Sequence, residues 1–158
     1  MVSRACINVA ICLSAVLLAA GIERVRAQAQ APAEVTIGYL HRPPAKSAIS
    51  LIEVPAPNDG VAGAELAIED NNTTGKFLGQ HFTLAPVELK DGDDPAAAVA
   101  TLTARGVSLL LADVPADGLL KAADAGAARM LVFNVGATDD RLREEDCRRA
   151  VVHVAEDP

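Results

Sequence analysis

The sequence predicts an α/β fold, a doubly wound parallel sheet with strand order 2-1-3-4-5. Three observations lead there. From residue 33 onward, short apolar runs alternate with segments of helical spacing. The core must be aliphatic, because 51% of the 158 residues are hydrophobic yet there is no Trp, one Tyr and three Phe. That composition suits Ala-rich helices laid on a sheet. One run, Val107–Ala112 (VSLLLA), is almost continuously apolar, as expected of a parallel strand covered on both faces.

Each element follows from local pattern. Val35–Leu40 (VTIGYL) reads as the first strand, and residues 41–57, Pro-rich and poorly periodic, as a long loop. Asn58 or Asp59 caps a helix expected to reach about Asn71, with Val61, Ala64, Ala67 and Ile68 on one stripe and Glu65 and Glu69 facing water. Leu66 falls off that stripe. The stretch NNTTG at 71–75 reads as the stop. Asn71 and Asn72 tolerate left-handed backbone angles, Gly75 has no Cβ, and Thr73 and Thr74 can satisfy the last carbonyls. Phe82–Leu89 alternates as a second strand, and Pro86 within it places that strand at a sheet edge. Asp94 as N-cap and Pro95 as first residue open a second helix that Gly106 ends. A third helix, Pro115–Ala125, ends at Gly126. A fourth strand (Met130–Val135), a short helix (Asp139–Glu145) and a fifth strand (Val151–Val154) follow. In such sheets ligands sit beyond the carboxyl ends of the strands, where the strand order reverses. The loops that matter therefore begin at His41, Asp113 and Gly136.

Residues 1–27 read as a secretory signal peptide: Arg4, an apolar stretch from Ala5 to Ala20, and Val25-Arg26-Ala27 for the peptidase. The stretch is short for a membrane span and is interrupted by Asn8 and Ser14, so residues 28–158 are expected to be a secreted domain that does not span the membrane. Cys6 and Cys12 would leave with the signal. Cys147 would then be either buried and inert or without its partner. The formal charge of −7 argues against nucleic acid, which needs a clustered basic surface. No nucleophile elbow, phosphate loop, zinc-protease motif or Cys pair is present, and His41, His81 and His153 have no ligand spacing. Asp91-Gly92-Asp93-Asp94 reads as a turn and an anionic helix cap, not a metal loop. No catalytic residue, metal or cofactor is expected.

The loop after the fourth strand, Asn134-Val135-Gly136-Ala137-Thr138-Asp139-Asp140, is more informative. Gly136 and Ala137 allow close approach to the backbone. Thr138 brings a hydroxyl beside the free N–H groups of the next helix, which suits a small carboxylate. The alternative is that Thr138 only caps that helix.

GAELAIEDNNTTGKFLGQHFTL, with Gly63, Leu66, Ala67, Asp70, Asn71, Gly75 and Gly79, resembles the first helix and turn of type I periplasmic substrate-binding proteins, among them the branched-chain amino acid-binding components of ABC transporters. Asp93–Ala100 (DDPAAAVA) and Asn134–Leu142 (NVGATDDRL) resemble the same family's second helix start and ligand-contacting turn. The resemblance implies one lobe of a type I periplasmic-binding fold in a non-enzymatic import component. It implies an amino acid-like ligand held by Ala137 and Thr138, with Gly136, Asn134 and Asp113 around it, and ABC membrane subunits as partners. The wording IEDNNTTGKFLGQ, with ISLIEVP at 49–55, resembles a subgroup associated with pyrroloquinoline-quinone-dependent alcohol oxidation, implying a ligand from that chemistry. Asp113-Val114-Pro115 departs from the small polar residue that the family often places there. It and His41-Arg42-Pro43-Pro44 argue against an amino-acid ligand. The family has two lobes, whereas this chain reaches only the first lobe's fifth strand, so a truncated gene product is expected. The rival readings are a secreted structural or interaction protein built on one lobe and, with least support, an α/β enzyme.

Overall fold

The computed structural model describes residues 31–43 and 58–155. The expected signal peptide, most of the Pro-rich loop and the ISLIEVP stretch lie outside them. In chain order the elements are β1 (Ala33–His41), α1 (Asp59–Leu78), β2 (Gln80–Glu88), α2 (Pro95–Ala104), β3 (Leu109–Asp113), α3 (Ala116–Gly126), β4 (Leu131–Asn134), a 3-10 turn (Asp140–Leu142) and β5 (Val151–His153). The strands form one parallel sheet ordered β2-β1-β3-β4-β5, as the alternation predicts. β2 is an edge strand, and Pro86 sits in it.

The core lies between the sheet and the pair α2 and α3. Leu40, Leu110, Ala112 and Val132 point from the strands to meet Val99, Leu102, Leu119 and Ala122, all fully or almost fully buried. Gly38 makes the closest approach possible: a Cβ there would stand 2.9 Å from Leu110 Cδ1 and 3.1 Å from Leu102 Cδ1. α2 starts where its chemistry dictates. Asp94 accepts from Ala96 N at 3.1 Å, Pro95 follows, and Val99 and Leu102 place an apolar stripe on the core.

The opposite face of the sheet differs from expectation. β3 is buried at Leu110 and Ala112 but only half-buried at Leu109 and Leu111. Among the described residues α1 lies on this face and packs on β2. It leaves an apolar cavity of about 200 Å³ lined by Ile37, Ala64, Ala67, Ile68, Asn71, Phe82, Leu84 and Leu111.

α1 also corrects the reading of NNTTG. The helix does not stop there. It runs through to Leu78 and ends at Gly79, whose φ of 65° makes it the left-handed cap. The inward stripe begins with Val61, Ala64 and Ile68 and continues through Asn72 and Gly75. Asn72 faces the sheet because its amide pairs with a strand: Phe82 N donates to Asn72 Oδ1 at 2.8 Å, and Asn72 Nδ2 donates to Phe82 O at 2.9 Å. Gly75 is buried because a Cβ would stand 2.7 Å from the Gln80 carbonyl. Asn71 and Thr73 bond back to Ala67 O and Asp70 O within the helix. The polar run therefore docks the helix on edge strand β2. Leu66, off the stripe, is 61% exposed.

Asn72→Ala removes both partners of a half-buried peptide unit in β2, an expected loss of about 1–3 kcal/mol. Asn71→Ala, at an exposed site, is expected to change stability by no more than about 0.5 kcal/mol. Urea unfolding of the two variants checks the contrast, and equal losses would remove Asn72 as the tie between α1 and β2.

Candidate functional site

The strand order reverses between β1 and β3, and their carboxyl ends meet there, with His41 opposite Asp113 in register. Strand alternation puts Tyr39 and His41 on the same face of β1, with ring centroids 5.6 Å apart. Both are more than nine-tenths buried. Tyr39 Oη donates to Asp113 Oδ2 at 3.0 Å.

Two glycines make room for this pair. Gly60, in the first turn of α1, lies so close that a Cβ would overlap Tyr39 Oη and come within 3.1 Å of Asp113 Oδ2. Gly136, after β4, would place a Cβ 2.5 Å from Asp113 Oδ1. The half-buried carboxylate therefore sits between the amino end of a long helix and the β4 loop. The positive end of the helix dipole favours a negative charge there. The Tyr39 hydroxyl is pushed up to about 12, first by burial, then by the negative charge of Asp113 and by the hydrogen bond to it.

The β4 loop is held from within. Asn134 is fully buried. Its Oδ1 accepts from Gly136 N at 3.3 Å and Ala137 N at 2.9 Å, and its Nδ2 donates to Ala137 O at 2.6 Å. Nδ2 also lies 3.0 Å from His153 Nδ1. Thr138 is exposed at the rim. The expected helix after it is one 3-10 turn, Asp140–Leu142, followed by further turns, so no helix amino end builds up beside Thr138. The reason is visible in the side chains. Arg141 reaches Asp117 at 2.6 Å and Asp146 at 3.1 Å, and Arg148 reaches Asp124 at 2.6 Å, which tacks this segment along α3.

Of the predicted site residues, Asp113 and Gly136 touch, and Asn134, Gly136 and Ala137 form one hydrogen-bonded loop. Thr138 follows in the chain as the exposed hydroxyl. The amide N–H of Ala137 is engaged by Asn134. Sequence reasoning missed Tyr39 and gave Gly60 no role. The available signal was that the chain's one Tyr stands two residues before the end of the first strand. Among the described residues no group of three or more His, Cys, Asp or Glu side chains could hold a metal ion. Cys147 is exposed and free, which rules out the buried alternative.

No protein-family model and no curated protein sequence matches the chain. Solved structures do match. One is the branched-chain amino acid transporter substrate-binding protein LivJ of Streptococcus pneumoniae in complex with isoleucine, at 16% identity and TM-score 0.56, covering 76% of this chain and 33% of that one. Another is the leucine-, isoleucine-, valine-, threonine- and alanine-binding protein of Brucella ovis in its closed conformation, also at 16% identity and TM-score 0.56, covering 78% and 33%. The fold is one lobe of a type I periplasmic binding protein. The chain spans about a third of the length of these neighbours. On this lobe the rim formed by the ends of β1, β3 and β4 is the candidate binding surface.

Because the chain has one Tyr, its ultraviolet titration reads Tyr39 alone. Tyrosinate absorbance is expected with a midpoint near pH 12 in the folded protein. Asp113→Asn, which removes a charge that opposes ionisation, should bring the midpoint down. The folded value lies above the ordinary 10.0, so the stabilising contribution is complete below about pH 10 and falls as pH rises toward 12. An unchanged midpoint in D113N would show that Asp113 does not govern Tyr39.

Proposed function

We propose that the chain is a periplasmic solute-binding lobe serving an ABC-type importer, with the β1–β3–β4 rim as its ligand surface. The observation that supports this most is the grouping of Tyr39, His41, Asp113 and Gly136 around the strand-order reversal of a type I lobe. Asp113, Asn134, Gly136, Ala137 and Thr138 belong to this surface in two roles. Asn134, through its bonds to Gly136 and Ala137, sets the loop, and Asp113 and Thr138 present polar atoms. The neighbours, whose names state amino-acid ligands, support an amino acid-like solute. The link to alcohol oxidation draws its support from the residue wording at 66–79 and 49–55 alone. Residues 1–27 as an export signal fit the periplasmic reading.

A second reading, a secreted interaction protein, has its own support. Leu66 and Phe77 lie on one face of α1, 61% and 80% exposed, beside Leu78 at 67%.

Thermal melting of the full chain with branched-chain amino acids, short alcohols, aldehydes and quinones separates the readings. A solute-binding lobe should gain several degrees with at least one class at concentrations far above Kd. A chain that melts cooperatively, shifts with none of them and elutes with a copurifying protein would favour the interaction reading.

A further inference from the structure

We infer that the rim between β1 and β3 takes its solute by a positively charged nitrogen, an ammonium group set against the Asp113 carboxylate with the His41 imidazole beside it. The inference rests on the solute-binding reading and narrows its ligand class.

Four observations carry it. Among the described residues the Asp113 carboxylate accepts one hydrogen bond, from Tyr39, although it has room for about four. Gly60 and Gly136 stand against its two oxygens, and the residue is half-buried at the end of the central strand, where water is partly excluded and a charge pair is strong. His41 is 8% exposed, and among the described residues its ring makes no hydrogen bond and lies tilted at 52° to Tyr39, which leaves its nitrogens open to a solute at the rim. Finally, the local charge is one-sided. Asp140 follows the β4 loop, and the guanidinium groups nearest in sequence are engaged with other partners: Arg42 with Lys90 O and Asp93 O, Arg141 with Asp117, Asp146 and, at 3.8 Å, Asp139.

An anionic solute fits less well. The amide groups of Gly136 and Ala137 already donate to Asn134, and the segment beyond Thr138 is a single 3-10 turn. A zwitterion remains compatible through its ammonium on Asp113.

Three probes with one carbon skeleton test the charge: isobutylammonium, isobutanol and isobutyrate, titrated into the full chain by calorimetry and thermal melting, with L-valine as the zwitterion. The expected result is binding of isobutylammonium and L-valine, with neither isobutanol nor isobutyrate binding. Asp113→Asn should weaken isobutylammonium at least tenfold, and His41→Ala severalfold. If D113N or H41A fails to fold, the wild-type order of probes decides alone. Binding of isobutyrate or isobutanol in preference to isobutylammonium overturns the ammonium assignment and leaves the solute-binding reading standing. Equal isobutylammonium affinity in wild type and folded D113N overturns the role of Asp113. Binding of none of the four probes overturns the ammonium assignment. If the broader solute panel is also silent, the solute-binding reading falls with it.

Discussion

A carboxylate at the end of the central strand constrains everything around it. Asp113 projects where β1 and β3 part, and three elements have adjusted to it. β1 offers the Tyr39 hydroxyl, α1 has Gly60 as its second residue, where a Cβ would overlap the pair, and β4 leads into Gly136 for the same reason. Even a half-buried carboxylate is costly when nothing compensates it. Here the hydroxyl, the amino end of α1 and partial exposure compensate it. The same contacts draw the amino end of α1 to the carboxyl end of the sheet, so one interaction joins the fold to the candidate site.

The rest of the fold divides by face. On one side α2 and α3 press aliphatic side chains onto β1, β3 and β4, with Gly38 allowing the tightest contact. On the other, α1 is tied to β2 by the Asn72 amide and by the close passage of Gly75 under Gln80. The first face depends on dispersion and exclusion of water, and the second more on hydrogen bonds to a peptide unit at an edge. The apolar cavity lined by Ile37, Ala64, Ile68 and Leu84 lies on this second face.

Much of this was legible in the sequence because the signals were strong. Pro86 marks an edge strand, and Asp94-Pro95 marks a helix start for steric and capping reasons that hold in almost any context. The alternation of apolar runs gave the parallel order. NNTTG was misleading because the inward stripe of α1 changes chemistry midway. A half-buried Asn bonded to a strand and a buried Gly under a carbonyl look like helix breakers unless the neighbouring strand is known. The turn after Thr138 was overextended as a helix because its shape depends on Arg141 and Arg148 reaching back to α3, contacts 24 residues apart. At the site, Asp113 and Gly136 could be named from loop position, but their mutual contact and the part played by Tyr39 are products of tertiary packing.

The central claim is that the ends of β1, β3 and β4 form one surface organised by Asp113 and that solute meets the protein there. Amide correlation spectra of the uniformly ¹⁵N-labelled chain, recorded while isobutylammonium is added, test it most directly. The account predicts chemical-shift changes concentrated at residues 39–42, 60–61, 113–114 and 136–138. Changes confined instead to the residues around the cavity under α1, such as Ala64, Ile68 and Leu84, would contradict it.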